Sequence, residues 1–149
     1  ITPNITHWSE SADSLGDYLD SLVKIRGYEI ETALPAHRKN EMDVYVRISQ
    51  IIEHHLVRLM ETVDALAAQP NTHATDIAAH LKWSMRGKTW AEFPLSQRWF
   101  AVGETMAHLD YLIVRGMAEK TEGERNSYRL LLSAEECKER LEEIWNEYR

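Results

Sequence analysis

The chain holds one cysteine, four prolines, six glycines and two phenylalanines in 149 residues. A single cysteine, Cys137, makes no intrachain disulfide, so stability has to come from a packed core, as in a reducing, cytoplasmic setting. No apolar run approaches the ~20 residues that span a bilayer. No basic stretch leading into an apolar one opens the sequence, so neither a membrane anchor nor a secretory leader is expected. Positive charge is also short: 17 Lys plus Arg face 24 Asp plus Glu, for a net charge of −7. That sign argues against nonspecific grip on a phosphate backbone. A Gly-rich phosphate loop, a G-x-S-x-G elbow, a CxxC pair, internal repeats and low-complexity tracts are likewise missing.

What is present is ordinary globular material, 44% hydrophobic and 28% charged. The length suits one domain, or a small domain with an appendage. Residues 1–10 read as loop. From Asp13, the residues Leu15, Tyr18, Leu19, Leu22 and Val23 recur at helical spacing, and Gly27 follows Arg26 where a left-handed C-terminal residue is wanted. Residues 28–34 read as a short strand running into Pro35-Ala36-His37-Arg38. This helix–strand unit is too small to hold a core, so its packing partner is expected outside the chain.

From Asp43 a longer helix places Ile48, Ile51, Ile52, His55, Leu56, Leu59, Met60, Val63 and Leu66 on one face, with Arg47, Glu53, Arg58, Glu61 and Asp64 largely opposite. Pro70-Asn71 breaks it. A short helix over 75–82 turns Ile77, Ala78 and Leu81 inward, and a tryptophan-rich connection leads to Pro94 at the start of a third helix. That helix shows Leu95, Trp99, Val102, Met106, Leu109, Leu112 and Ile113, and closes at Arg115-Gly116. Residues 117–120 and 127–132 flank the turn Glu122-Gly123-Glu124 as a β-hairpin. Helix, helix-turn-helix and hairpin in that order is the winged-helix arrangement. Ser133 and Glu136 form a capping box for a last helix carrying Cys137, Leu141, Ile144, Trp145 and Tyr148 on one stripe. The expected class is therefore α+β, mostly helical.

Residues with chemistry are few. Cys137, on an inward stripe, reads as a buried apolar group and not a nucleophile. Trp83, Trp90 and Trp99, near Phe93 and Phe100, read as core and not as a base-stacking platform. His54 and His55 lie about 100° apart on their helix, one facing the core and one the solvent. His73, Asp76 and His80, and separately Glu104 and His108, have spacings that place ligands on one helical face, yet a solvated face explains both sets. His7 sits unconstrained in a loop. His37 differs, because a histidine at a strand end on a Pro-containing turn is aimed by the turn. One imidazole alone does not make a metal site.

Several segments together resemble a known family. They are Thr2-Pro3-Asn4-Ile5 with Trp8, Leu15-Gly16-Asp17-Tyr18-Leu19, Leu34-Pro35-Ala36-His37-Arg38, His54-His55-Leu56-Val57-Arg58-Leu59, Trp90-Ala91-Glu92-Phe93-Pro94, and Ala107-His108-Leu109-Asp110-Tyr111-Leu112. Across residues 2–130 the sequence is similar to the C-terminal part of metallo-β-lactamase-fold hydrolases with a winged-helix extension, the glyoxalase II-like branch that includes lactamase-β-2-like endoribonucleases. In that family the strand-end motif is typically Leu-Pro-Gly-His and its histidine is a late ligand of a binuclear metal site. The resemblance puts that role on His37, with Ala36 standing where glycine is usual. The main motif, His-x-His-x-Asp-His, and the bridging aspartate are absent from these residues.

The resemblance implies that the chain is a C-terminal fragment of a zinc-dependent hydrolase. It also implies an inactive piece on its own, with no tightly bound metal. Residues 1–40 would end the hydrolase fold, 41–132 form the winged helix, and 133–149 a capping or interface helix. The implied partner is the N-terminal domain of the same protein, and in the parent a zinc-activated water would attack an ester, thioester, lactam or phosphodiester. Two other readings compete. A winged-helix nucleic-acid binder would expose Ser96, Gln97, Arg98 and Arg115 on its third helix, but ten Lys or Arg face twelve Asp or Glu over residues 40–132. Lys120, Arg125 and Arg129 on the wing leave RNA contact open. A dimerisation module would use the stripe of Leu141, Ile144, Trp145 and Tyr148.

Overall fold

The computed structural model describes residues 3–7, 10–36 and 42–149. Five helices and three short strands follow one another as α1 (Ser14–Arg26), α2 (Val44–Ala68), β1 (Thr72–His73), α3 (Ala74–His80), α4 (Leu95–Val114), β2 (Ala118–Thr121), β3 (Ser127–Leu130) and α5 (Ala134–Tyr148). The class is α+β and mostly helical, as expected.

Helix starts follow local chemistry. Asp13 caps α1 through Gly16 N–H, Asp43 caps α2 through Tyr45 and Val46 N–H, and Ser133 with Glu136 completes the capping box of α5. Each side chain satisfies donors the helix cannot pair itself. At the end of α4, Gly116 (φ 68°) takes the left-handed conformation. Its N–H reaches Ile113 O and Met117 N–H reaches Leu112 O, both at 2.9 Å, which closes a Schellman motif. Gly27 departs from expectation. Its φ of −78° is right-handed, and α1 ends by tightening, with Gly27 N–H on Lys24 O and Tyr28 N–H on Ile25 O, each 3.1 Å.

The strands form one antiparallel sheet in the order β1-β3-β2, with Thr72 opposite Tyr128 and Lys120 also opposite Tyr128. The hairpin was legible; β1, only two residues long, was not. The strand expected over 28–34 does not form. Among the described residues this stretch has no sheet neighbour, and a lone strand leaves its backbone unpaired. It runs irregularly at the surface, and Tyr45 tethers it: the hydroxyl donates to Tyr28 O (2.7 Å) and accepts from Ile30 N–H (3.0 Å).

All five helices feed one core. Leu15 and Leu19 of α1 are fully buried against α2 and α4, so α1 finds its partner within this chain and not outside it. The α5 stripe is also used internally: Cys137, Leu141 and Trp145 are fully buried, and the Trp145 indole N–H donates to Ile52 O at 3.1 Å. Burying each such side chain contributes about 1.5–3 kcal/mol, so this face serves the fold and does not offer a free dimerisation stripe. The largest departure lies in α4. Of its expected apolar face, Leu109 and Leu112 are buried but Leu95 (76% exposed) and Trp99 (50%) lie at the surface, whereas Ala101, Glu104, Thr105, His108 and Tyr111, off that face, are buried. From Ala101 onward α4 is surrounded by α1, α2, α3 and β2, so burial follows its neighbours and not one stripe.

Candidate functional site

His37 lies outside the described residues, as do 38–41. The segment leading to it, 28–36, is irregular and largely exposed, and Leu34 is 90% accessible.

The structure brings together a polar cluster where sequence periodicity expected a solvated face. Glu104, His108, His55 and Arg58 are all buried, on the facing sides of α2 and α4. Arg58 was placed on the polar side of α2, yet its guanidinium lies 4.0 Å over the Trp83 ring, 2.9 Å from Glu61 Oε2, and 3.7 Å from Glu104 Oε1. Asn4 closes the other side by donating to Glu104 Oε2 at 2.6 Å. Burial raises the Glu104 pKa, while Arg58 and then Asn4 pull it back. The carboxylate is thus held between an Arg charge and an amide donor.

Two imidazoles continue the cluster, and their tautomers follow from their partners. His108 Nδ1 faces Glu104 O at 2.7 Å, so that nitrogen carries the proton and Nε2 accepts. His55 Nδ1, 3.2 Å from His108 Nε2, must then donate. The second nitrogen of His55, Nε2, is left buried with no hydrogen-bond partner among the described residues. Desolvation lowers both pKa values, with the neighbouring His54 and Arg58 adding to it for His55, which falls to about 3. Both rings are neutral at any ordinary pH. The pair is built to stay uncharged.

The remaining histidines are dispersed. His73 Nδ1 meets Asn126 O at 2.9 Å, whereas His80 Nδ1 meets Asp76 O at 2.8 Å and its Nε2 meets Gln69 at 2.8 Å. His7 pairs with Asp110 at the surface of α4. His54 is half-buried beside His55. Among the described residues no three His, Cys, Asp or Glu side chains converge as a metal would require, so they do not fit a zinc site by themselves. Cys137 is buried and its thiol pKa is raised by that burial, which leaves it unreactive.

The connection between α3 and α4 overturns the core reading of the tryptophans. Trp83 and Trp90 are half-buried, and Trp99 and Phe100 are exposed at the start of α4. Arg115, offered as a DNA-reading residue, is held by Asp13 Oδ2 at 2.7 Å and lies 3.3 Å over the Tyr111 ring. The hairpin cations are also engaged: Arg129 with Glu119, Arg125 with Thr75 and Asp76, and Lys120 with Glu122. No helix among the described residues is long and apolar enough to cross a membrane.

With this geometry in view, comparison with known proteins is informative. Residues 59–131, just under half of the chain, match the family of metallo-beta-lactamase-like C-terminal domains. The match runs from within α2 to just past β3 and contains Glu104 and His108 of the polar cluster, while Arg58 and His55 lie just before it. No curated protein matches. Among solved structures, the chain is similar to a β-lactamase domain protein from Burkholderia ambifaria, at 29% identity and a TM-score of 0.70. That likeness covers 85% of this chain and 37% of the other, so the chain spans little more than a third of the protein it resembles. By sequence, residues 59–131 match the metallo-beta-lactamase-like C-terminal domain family, and by fold the chain resembles the C-terminal region of a β-lactamase domain protein.

Proposed function

We propose that this chain serves a cytoplasmic, metal-dependent hydrolase of the metallo-β-lactamase superfamily, as the region that follows its N-terminal catalytic domain. In this reading, α2, α3, α4 and the β2–β3 hairpin with β1 act as a winged helix that shapes the substrate cleft or a subunit interface. The carrying observation is the likeness to a β-lactamase domain protein over 85% of this chain but 37% of that one. His37, three residues beyond Leu34, is the proposed metal ligand. Zinc, when bound in such an enzyme, supplies Lewis acidity and an activated water.

A free-standing duplex-DNA reader is disfavoured, because Arg115 and the wing cations are paired within the chain and the net charge is −7. The test of the hydrolase reading uses the full-length protein. His37→Ala should lower bound zinc, measured by elemental analysis, and cut turnover by orders of magnitude while the circular dichroism of α2–β3 persists. Equal zinc content and equal activity would reject the ligand role.

A further inference from the structure

Negative charge is not spread evenly over the chain. Residues 82–98 carry four cations, Lys82, Arg86, Lys88 and Arg98, and one carboxylate, Glu92. The rest of the chain has thirteen cations against twenty-three carboxylates. Even the single acid is occupied: Glu92 Oε2 accepts from Thr89 N–H at 2.9 Å and from its hydroxyl at 2.7 Å. A positive island on an acidic protein concentrates anions locally, whatever the net charge does at long range.

The island surrounds a cavity of about 370 Å³ between the α3–α4 connection and the start of α4. Arg86, Lys88, Ser84 and Gln97 supply its polar wall, and Met85 and Phe93 its apolar wall. No carboxylate lines it. Arg86 and Lys88 make no ion pair among the described residues, in contrast to the hairpin cations. Arg86 sits at φ 52° and Gly87 at φ 81°, so the turn places the two cations on either side of one glycine. Gln97 brings the first turn of α4 to the cavity, and that turn has no side-chain cap.

We propose that this cavity binds an organic phosphate, a phosphoryl group carrying a flat aromatic ring. Arg86 and Lys88 take the phosphoryl oxygens, since an arginine fork and a lysine ammonium together match a phosphate dianion. Gln97 donates a further hydrogen bond. Phe93, 6.3 Å from the Trp90 ring between centroids, provides the surface on which the ligand ring lies. The volume accommodates a ligand of roughly nucleotide size, at the lower end of the ~300–1,000 Å³ common for small-molecule sites. This site is independent of His37 and of any metal.

Calorimetric titration of the chain with adenosine 5′-monophosphate, inorganic phosphate and adenosine tests it. The monophosphate should bind saturably and more tightly than either of its parts. Arg86→Gly combined with Lys88→Gln should weaken it by about 100-fold, at about tenfold for each charge-assisted contact. Glycine is chosen at 86 because it keeps the positive φ without strain. Phe93→Leu should weaken the monophosphate but leave inorganic phosphate unchanged. Thermal unfolding midpoints equal to wild type show that the variants remain folded. Absence of saturable binding, equal affinity for adenosine, no advantage over inorganic phosphate, or binding unaltered by the double substitution would each overturn the proposal.

Discussion

The two ends of α4 are built for different things. Its first six residues, 95–100, expose Leu95, Trp99 and Phe100 beside a cationic cavity and begin without a side-chain cap. Residues 101–112 are packed on most sides, and they bury Glu104 and His108. One helix therefore carries both a site-like surface and a load of buried polarity. Buried charge is costly unless paired, so the inner half tolerates little change. The outer half has slight stake in stability and is free to be shaped by binding. The same contrast separates the cations: Arg58 and Arg115 are stacked on rings and paired, whereas Arg86 and Lys88 face the cavity.

Substitutions can break this contrast. Glu104→Ala should have the largest effect, because Arg58 stays buried beside Trp83 with only Glu61 to balance it. The expected loss is about 3–5 kcal/mol in chemical denaturation, the range for removing one partner of a buried pair. Glu104→Gln, which still accepts a hydrogen bond, should cost less. A loss under a tenth of that for Glu104→Ala would mean that the buried pair does not matter to the fold.

Acid should act on the inner half too, and the sign follows from linkage. His55 and His108 are held neutral in the fold, with His55 at about 3, while in the unfolded chain they titrate near 6.5. Below about pH 6.5 the unfolded state takes up protons that the folded state refuses, so stability falls as pH drops from 6.5 toward 3. The full contribution is present above 6.5. Unfolding midpoints measured across that range check it. A His55→Phe, His108→Leu variant should show a flatter profile, and an unchanged slope would remove the histidines as the cause.

Smaller effects sharpen the comparison. Gly116→Ala forces a side chain into the left-handed position that ends α4, at a cost of about 1 kcal/mol. Its readout is a modest drop in thermal midpoint, and no drop would show that another conformation ends the helix equally well. Leu95→Ser, on the outer half, should change stability by less than about 0.5 kcal/mol, as for most surface positions. A loss of 2 kcal/mol there would place Leu95 in the core and erase the distinction between the two ends.

How much was legible depended on how local the determinant was. The Ser133–Glu136 box was readable as a cap, and Asp13 and Asp43 as the points where helical periodicity begins, because a cap involves only the few residues that follow it. Gly116 was readable as a stop and Gly123 as a turn, and Cys137 as buried, for similar reasons. Glu104 and His108 were misassigned to a solvated face, because periodicity counts polarity and cannot see that α2 presents Arg58 and His55 to meet them. Ala101, Gly103 and Ala107, small residues crowded around Glu104, were the available hint that another helix approaches closely. The Lys82, Arg86, Lys88 and Arg98 island was also in plain sight, but a net charge of −7 averaged it away.

The sequence by itself determined where helices begin and end, the placement of the hairpin, and the chemical types available for a site. It did so because caps, turns and amphipathic stripes are settled by interactions within a few residues. Tertiary structure decided the rest. It denied 28–34 a strand by giving it no neighbour among the described residues, turned the α5 stripe inward, buried four polar side chains between α2 and α4, and left Arg86 and Lys88 at a cavity. Each of these depends on what packs alongside, and residues distant in sequence supply that partner.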